Sequence, residues 1–315
     1  MVKEWNNGMV SLHMADSRAL PIEDKSVHTV VTSPPYWGLR DYGTDGQLGL
    51  EPTPEEYCNS MVAVFREIRR VLHDDGTVWL NLGDSYSSGS RTTTTNDSFR
   101  GDTLVNTTRT PVVKGIKPKD LVGIPWRVAF ALQADGWYLR SDIIWSKPNP
   151  MPESVQDRPT KAHEYIFLLT KSQKYYYDAD AIREPYTEPM NRWGGNILKA
   201  DGQSTWDEGT GQEWYRHRNM RPNDDGRNKR SVWEVTTKPY AEAHFATFPE
   251  KLVEPCILAG CPAGGTVLDP FVGSGTTLAV AQRLGRRGVG ADINEEYLSL
   301  ARNRLEKISM PMLME

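Results

Sequence analysis

The amino-acid sequence predicts an α/β fold with a mostly parallel sheet. Residues 26–31 form a short β-branched apolar run that predicts a buried strand, and two prolines end it in a rigid corner, Thr32-Ser33-Pro34-Pro35-Tyr36-Trp37. Far down the chain, residues 266–277 predict a strand, a glycine turn and the start of a helix. Open α/β sheets bind ligands beyond the carboxyl ends of their strands, so both features predict functional sites.

The order of the predicted elements supports this fold class. Residues 54–72 carry apolar side chains at intervals of three and four, which predicts an amphipathic helix whose aromatic and methionine members lie in the core. Tyr175-Tyr176-Tyr177 is predicted to pair with the strand before it as a hairpin. The other predicted strands are residues 10–15, 77–82, 138–145, 165–170, 266–269 and 288–291, and the other predicted helices are residues 121–134, 250–259 and a segment after Thr277.

The proline corner carries the groups needed to hold a flat ring that bears an amino group. Ser33 supplies a polar side chain, Tyr36 an aromatic face, and the chain supplies carbonyls that no ladder partner uses. The alternative is a solvent-exposed turn that only closes a strand. The corner alone leaves both interpretations open.

A second motif points to a nucleoside-bearing cofactor. Asp269-Pro270-Phe271-Val272-Gly273-Ser274-Gly275-Thr276-Thr277 is followed, 23 positions after Asp269, by Asp292 at the end of another predicted strand. An acid about 20 residues past a glycine turn is the Rossmann arrangement, in which a carboxylate accepts hydrogen bonds from ribose hydroxyls. Only Gly273 and Gly275 are present rather than the full dinucleotide fingerprint, which argues against NAD.

Together, the two motifs resemble those of DNA amino-methyltransferases that use S-adenosylmethionine. Ser33-Pro34-Pro35-Tyr36 is similar to their catalytic motif and residues 269–275 to their cofactor motif, in the order of the circularly permuted β group. Only 46 residues follow Asp269, so most of the sheet must come from upstream. The resemblance implies a circularly permuted, Rossmann-like methyltransferase fold with roughly seven strands and added target-recognition insertions.

The resemblance also implies a division of the chain. The expected parts are a catalytic half (1–86), a flexible basic insertion (87–119), a part that completes the sheet (120–183), a target-recognition region (184–231) and a cofactor-binding half (232–315). The insertion is rich in Ser, Thr and Gly with a local charge of +4, which suits either an arm that settles on DNA or a plain disordered loop. The target-recognition region interleaves aromatics with arginines, which suits contacts to bases, or else it is a solvated loop.

The candidate site residues follow from the same resemblance. The catalytic set is Ser33, Pro34, Pro35 and Tyr36. The set for the S-adenosylmethionine cofactor is Asp16, Thr247, Phe248, Asp269, Pro270, Phe271, Gly273, Ser274, Gly275, Thr276, Thr277 and Asp292, although a turn-capping role is equally open for Asp16. The DNA-contacting set is Trp37, Arg40, Arg216, Arg218, Arg221, Arg227, Lys229 and Arg230, and no metal is expected.

Two further residues invite a catalytic interpretation that we do not favour. His163 could act as a general base, but a lone histidine at the start of a strand is more often a structural hydrogen-bonding group. Pro255-Cys256 imitates the nucleophile of C5-cytosine methyltransferases, yet Cys256 falls within a predicted helix among apolar residues. A buried structural cysteine is therefore expected there.

Composition predicts a cytoplasmic protein. No apolar run approaches the roughly 20 residues that span a bilayer, and the amino terminus has no signal-peptide pattern. The three cysteines show no metal or disulfide spacing. A net charge of −4 argues only mildly against nucleic acid, because one basic face is enough to meet phosphate.

These observations predict methyl transfer from S-adenosylmethionine to the exocyclic N4 of a cytosine flipped out of double-stranded DNA. The cytosine follows from the resemblance: its N4-cytosine members usually have serine at the position of Ser33, whereas its N6-adenine members usually have Asp or Asn. N6 of adenine is the alternative, and a methyltransferase for protein or small amines and an inactive DNA-binding module are the rivals. Double-stranded DNA is the expected partner, while a cognate restriction endonuclease and the choice between monomer and homodimer stay open.

Overall fold

The computed structural model describes residues 4–39, 41, 43–87, 116–185, 226–237 and 249–308. Two compact units emerge, one made of residues 1–177 with 231–315 and the other of residues 178–230. Most of the predicted basic insertion and most of the predicted target-recognition region lie outside the described residues. The roles of these two segments therefore stay predictions.

The larger unit contains one sheet, for which the described residues supply nine strands in the order β1-β2-β9-β8-β3-β4-β6-β5-β7. The strands are β1 (Glu4–Asn6), β2 (Val10–Met14), β3 (Val27–Thr32), β4 (Leu72–Leu82), β5 (Tyr138–Ser146), β6 (His163–Thr170), β7 (Val232–Glu234), β8 (Thr266–Asp269) and β9 (Arg287–Asp292). The helices are α1 (Pro54–Val71), α2 (Ile124–Ala134), α3 (Glu250–Gly260), α4 (Thr276–Arg283) and α5 (Glu295–Glu306). This mixed α/β architecture confirms the predicted fold class.

The sheet is mostly parallel, with two exceptions. Strand β1 pairs antiparallel with β2 at one edge, and β6 runs antiparallel between β4 and β5. Nine strands replace the predicted seven because β1 and β7, with three residues each, add short edges that are too short to show a period in the sequence. Because β6 is antiparallel to β4 and β5, its first residues lie beside the carboxyl ends of those two strands.

Strands β3 and β8 lie at the point of the sheet where the connections between strands change direction. From β8 the chain passes through α4 to β9 on one side, and from β3 it passes through α1 to β4 on the other. Strands β3 and β8 are parallel neighbours, with Thr29 opposite Val267 and Val30 opposite Leu268. Such a switch point opens a crevice beyond the carboxyl ends of the strands. The proline corner follows β3 and the glycine turn follows β8, so both predicted motifs meet there.

Helix α1 covers one face of the sheet, as its periodicity predicts. Thr53 caps its amino end by accepting a hydrogen bond from Glu56 N at 3.2 Å, and Pro54 occupies the first turn. Tyr57, Met61 and Phe65 are fully buried, which confirms their predicted place in the core. In α3, Cys256 is also buried, and its thiol donates to the Leu252 carbonyl at 3.3 Å. The predicted buried cysteine is thus confirmed.

Three predicted elements differ in the structure. Helix α2 begins at Ile124 rather than at residue 121, because Gly123 takes the left-handed conformation just before it and Leu121 forms a bridge with Tyr86. Strand β4 begins at Leu72, directly after α1, rather than at residue 77. The predicted Tyr175–Tyr177 strand is wrong. These residues lie outside the nine strands, and the Tyr177 ring stacks on Trp79 with 6.4 Å between centroids.

None of the helices in the described ranges is both long enough and apolar enough to cross a membrane.

Candidate active site

Hydrogen bonds to the backbone hold the proline corner rigid. Tyr57 Oη donates to the Pro35 carbonyl at 2.9 Å, and Gly38 N donates to the Gly49 carbonyl at 2.8 Å. Gly49 has φ of +95°, and a β-carbon there would lie 3.0 Å from the Tyr36 carbonyl oxygen, so only glycine fits without strain. These contacts fix the backbone that presents Ser33 and Tyr36.

Trp37 belongs to the core rather than to a DNA-contacting surface. Its side chain is 1% exposed, and its indole nitrogen donates to the Glu51 carbonyl at 2.8 Å. A buried indole that satisfies its only donor anchors the corner from the inside. This corrects the expectation that Trp37 contacts DNA.

Four side chains meet in one hydrogen-bonded network above the corner. Tyr36 Oη lies 2.6 Å from Glu164 Oε2 and 3.0 Å from Asn81 Oδ1. Ser33 Oγ lies 3.3 Å from both Tyr36 Oη and Asn81 Oδ1. The Asn81 amide nitrogen donates to Glu164 Oε2 and to the Tyr165 carbonyl, both at 3.1 Å. We call Ser33, Tyr36, Asn81, Glu164 and the lysine paired with Glu164 the corner network.

That lysine is Lys147, which forms an ion pair with the other oxygen of Glu164. The two side chains are only 17% and 15% exposed, and the Lys147 amine also lies over the Trp145 ring, 4.3 Å from its centroid. Burial and the negative charge of Glu164 raise the pKa of Tyr36 well above its ordinary range. The phenol therefore keeps its proton at neutral pH and can donate it.

The Tyr36 ring is positioned by the glycine that follows β4. A β-carbon on Gly83 would lie 2.5 Å from Tyr36 Cε2 and 2.9 Å from Cδ2. Side-chain carbons do not approach that closely, so any larger residue at this position would push the ring away. Gly83 thus leaves the space that Tyr36 occupies.

The sequence interpretation missed Asn81, Lys147 and Glu164 as site residues. A signal was present, because Trp145-Ser146-Lys147-Pro148-Asn149 and His163-Glu164 resemble later motifs of the amino-methyltransferases. The second motif draws attention first to His163 as a possible general base. In the structure the His163 ring packs edge-on against Tyr165, with 5.4 Å between centroids, while its neighbour Glu164 joins the corner network.

At the end of β8, the Asp269 side chain points into the protein core. Its side chain is 1% exposed and accepts three hydrogen bonds, from Thr32 Oγ1 at 2.7 Å, from Thr277 Oγ1 at 2.7 Å and from Phe271 N at 3.1 Å. Burial raises the pKa of this carboxyl to about 6. Because both oxygens are used within the protein, Asp269 ties the end of β3 to the glycine turn. The predicted place of Asp269 in the cofactor site stays a prediction.

The glycine turn itself forms as expected. Gly273 has φ of +47° and Gly275 has φ of +79° at the amino end of α4. Ser274, Thr276 and Thr277 are buried, and Arg304 donates to Thr276 Oγ1 at 2.9 Å. Pro270 is buried as well, whereas Phe271 and Gly273 are partly exposed. The turn thus offers a cofactor mainly its backbone at Gly273 and the Phe271 side chain.

Asp292 is partly exposed at the same edge of the sheet. Its oxygens accept from Gly273 N at 3.1 Å and Asn294 N at 2.9 Å, which aims the carboxylate across the glycine turn. Burial raises its pKa to about 6. The carboxylate and the turn with positive φ angles fit the ribose end of S-adenosylmethionine, because carboxylates accept ribose hydroxyls and glycines allow close approach.

Asp16 reaches the same edge through strand pairing. Met14 lies opposite Asp292, and Ala15 N donates to the Asp292 carbonyl at 3.1 Å. The Asp16 carboxylate forms an ion pair with Arg18 at 2.6 Å and also accepts from Arg18 N, and the Arg18 hydrogen bond lowers its pKa. Of the two roles left open, the turn-capping one is present, while the cofactor role stays a prediction.

The remaining predicted site residues form two groups, those outside the described residues and those in the smaller unit. Arg40, Arg216, Arg218, Arg221, Thr247 and Phe248 lie outside the described residues. In the smaller unit, Arg227, Lys229 and Arg230 surround Glu184 with nitrogen–oxygen distances of 3.4, 3.5 and 3.2 Å. Their side chains are 28%, 22% and 66% exposed, so Arg230 projects most. Glu184 is the carboxylate that these three basic side chains share.

Comparison with known proteins shows the family of this chain. A family model described as DNA methylase, N6_N4_Mtase, matches residues 27–303. The type II methyltransferase M.SmaI of Serratia marcescens is 50% identical over 276 residues, which cover 88% of this chain and 83% of that protein. M.Cfr9I of Citrobacter freundii is 50% identical over 286 residues, with coverages of 89% and 82%.

Solved structures share the fold. The cytosine-N4-specific PvuII DNA methyltransferase aligns with a TM-score of 0.63 at 18% identity, covering 96% of this chain and 89% of that one. TTHA0409 from Thermus thermophilus, solved with S-adenosyl-L-methionine, aligns with a TM-score of 0.57 at 24% identity, with coverages of 94% and 93%.

A strand-switch crevice with a carboxylate beside a glycine turn and a Ser-Pro-Pro-Tyr corner defines an amino-methyltransferase. The chain belongs to the N6_N4_Mtase family of DNA methylases. It is an enzyme that methylates DNA with S-adenosylmethionine as its cofactor.

Proposed function

We propose that this enzyme methylates the exocyclic N4 of a cytosine that has been flipped out of double-stranded DNA. The observation that supports cytosine is Ser33, a short neutral acceptor at the head of the corner. A carboxylate or an amide at this position, as in the N6-adenine enzymes of the family, would reach further into the pocket. The N6 of adenine is the second candidate, because both bases present an amino group in the plane of a ring.

The corner can orient such an amino group. Within the described ranges, no group donates to the Pro34 carbonyl, and the Ser33 hydroxyl forms hydrogen bonds only with Tyr36 Oη and Asn81 Oδ1. The Ser33 hydroxyl and the Pro34 carbonyl therefore accept the two amino protons, which turns the nitrogen lone pair out of the ring plane toward the methyl donor. Tyr36 offers its ring for stacking, and base stacking on an aromatic contributes roughly 1 to 3 kcal/mol per base.

The cofactor side completes the arrangement. Asp292 holds the ribose, the Gly273 to Gly275 turn lets the cofactor approach the backbone, and Asp16 lies toward the adenine end. When bound, S-adenosylmethionine supplies an activated methyl group on a sulfonium. Because the leaving group is already cationic, the protein contributes alignment and needs no covalent intermediate. Asp269, by tying the end of β3 to the turn after β8, keeps the two halves of the site in register.

The identity of the base is tested by mass spectrometry of nucleosides from DNA treated with the wild-type enzyme. We expect N4-methylcytosine, and labelled cofactor should transfer its methyl group to DNA rather than to protein extract or small amines. Ser33→Ala should lower turnover more than cofactor affinity. N6-methyladenine as the sole product would assign the enzyme to the second candidate base.

We further propose that the basic cluster of the smaller unit contacts DNA phosphates. Arg230→Gln is expected to weaken DNA binding and to lower the salt dependence of the binding constant by about one unit, because a phosphate contact releases about one counterion. The base that is methylated should not change. Arg302→Gln, which removes an exposed arginine in α5 that pairs with Glu306, serves as the control. An unchanged salt slope in Arg230→Gln would place this arginine away from DNA.

The type II names of the relatives support a place in a restriction–modification system, with a cognate endonuclease as partner. Cleavage of unmodified host DNA by a neighbouring endonuclease, and its protection after methylation, would test this.

A further inference from the structure

We propose that Glu164 is a positioning residue that sets the direction of the hydrogen bonds at the catalytic corner. Acting through Tyr36 and Asn81, it holds the Ser33 hydroxyl so that the serine lone pairs face the substrate amine. This inference rests on the role proposed above for Ser33 as an acceptor. It assigns a function to Glu164 and Lys147, which the mechanism above does not use.

The neighbours of Glu164 all donate hydrogen bonds to it. A carboxylate paired with Lys147 is only an acceptor, and it faces three donors: the Lys147 amine, Asn81 Nδ2 at 3.1 Å and Tyr36 Oη at 2.6 Å. A phenol has one proton. The shorter, charge-assisted contact takes it, so Tyr36 donates to Glu164 and presents only lone pairs toward Ser33.

The orientation of Asn81 follows from its partners. Its nitrogen lies 3.1 Å from Glu164 Oε2 and 3.1 Å from the Tyr165 carbonyl, which are both acceptors. The amide nitrogen must therefore face them, and the amide oxygen must face the corner. Ser33 Oγ, at 3.3 Å from this oxygen and from Tyr36 Oη, meets two acceptors. Its single proton points inward, and its lone pairs remain for the amino group.

Strand pairing places Glu164 where it can do this. Because β6 is antiparallel to its neighbours, its first residues meet the carboxyl ends of β4 and β5, with Tyr165 opposite Leu82 and Glu164 opposite Trp145. Lys147 follows β5 directly. The carboxylate thus reaches the corner from a strand that carries neither of the two predicted motifs.

The test is Glu164→Gln, which keeps the shape and changes one acceptor oxygen into a donor. Lys147 should retain the amide oxygen, so the new NH2 group faces Tyr36 and Asn81. Tyr36 then becomes an acceptor from Gln and turns its proton toward Asn81 Oδ1, 3.0 Å away, so the Ser33 proton loses one of the two oxygens that hold it inward. We expect the single-turnover rate of methyl transfer to fall about tenfold, equivalent to about 1.4 kcal/mol, with S-adenosylmethionine and DNA affinities unchanged within about twofold.

The decisive measurement is a double-mutant cycle with Ser33→Ala. If Glu164 acts through Ser33, the Gln substitution should have almost no further effect on the rate when Ser33 is already absent. Losses that multiply, or an unchanged rate in Glu164→Gln alone, would overturn the proposal. Glu153→Gln is the matched control, since Glu153 is also partly buried and pairs with Arg158 at 2.8 Å, outside the corner network.

Two safeguards keep the test interpretable. If Glu164→Gln does not fold, the same cycle is run with Tyr36→Phe, which deletes the hydroxyl between Glu164 and Ser33 and keeps the ring. Rate losses of Tyr36→Phe and Ser33→Ala that multiply would equally overturn the proposal. The nucleosides produced by the wild-type enzyme report separately on the proposed function. N6-methyladenine would change the assigned base, while the coupling between Glu164 and Ser33 would still be read from the rates.

Discussion

Asp269→Ala is expected to lower the free energy of unfolding by about 3 kcal/mol or more at pH 5, the largest stability effect that we predict for one side chain. The substitution leaves the hydroxyls of Thr32 and Thr277 and the Phe271 amide without their common acceptor in a site where Asp269 is 1% exposed. Each unsatisfied buried group costs about 1 to 3 kcal/mol. Urea unfolding followed by circular dichroism measures the change.

Asp269→Asn is the matched control, because its carbonyl can still accept and threonine hydroxyls can rotate. We expect a loss of about 1 kcal/mol. The two proteins should also differ with pH. The pKa of Asp269 is raised from 3.8 to about 6 by burial, so the folded state binds this proton more tightly than the unfolded state. The stability that proton binding by Asp269 contributes to the folded state is complete below pH 3.8 and is lost as the pH rises through about 6.

The stability of wild type relative to Asp269→Asn should therefore fall by about 2 kcal/mol between pH 4.5 and pH 7.5, so that the Asn protein becomes the more stable one near neutral pH. A stability difference that is independent of pH would show that folding does not raise the pKa of Asp269. An Asp269→Ala protein as stable as wild type would show that the three hydrogen bonds do not hold the turn to β3.

Asp292→Ala is expected to weaken S-adenosylmethionine binding about tenfold to a hundredfold. Charge-assisted hydrogen bonds from ribose hydroxyls contribute roughly 1.5 to 3 kcal/mol each, and the substitution removes their acceptor. Isothermal titration calorimetry measures the affinity, and circular dichroism confirms the fold. Asp292→Asn, which keeps one acceptor oxygen for Gly273 N or Asn294 N, should lose less affinity than the alanine variant.

The affinity of wild type for the cofactor should also depend on pH. Burial raises the pKa of Asp292 to about 6, and only the ionised carboxylate accepts both ribose hydroxyls. Binding should therefore tighten as the pH rises through about 6, and Asp292→Asn should show no such rise. Unchanged affinity in a folded Asp292→Ala protein would remove Asp292 from the cofactor site.

Much of the fold could be predicted because its causes are local. The apolar spacing of residues 54–72 predicts α1, and the prolines that follow β3 end a strand whatever surrounds them. The 23 positions from Asp269 to Asp292 are enough for one turn, one helix and one strand, so the acid returns to the edge where the turn lies. The same residues carry the resemblance to the family, which the comparisons confirm.

The errors have equally physical causes. Trp37 follows a motif that predicts an open binding corner, yet its indole is buried, because the chain turns back through Gly38 and Gly49 and packs the ring under the corner. The Tyr175–Tyr177 segment has β-forming residues, but Tyr177 stacks on Trp79 instead of pairing in a strand. In both cases, side-chain burial in tertiary packing outweighed the local preference.

The sequence by itself determined the class of enzyme, the cofactor, and the two motifs that carry Ser33 and Asp292, because each motif lies within one continuous segment. Only the tertiary structure decided what supports them. Asp269 lies 237 positions from Thr32, and Glu164 lies 128 positions from Tyr36, yet each pair is joined by a short hydrogen bond. Those contacts depend on which strands become neighbours and on the reversal of β6. Long-range pairing of this kind leaves no period or spacing in the chain, so it becomes visible only when the sheet is assembled.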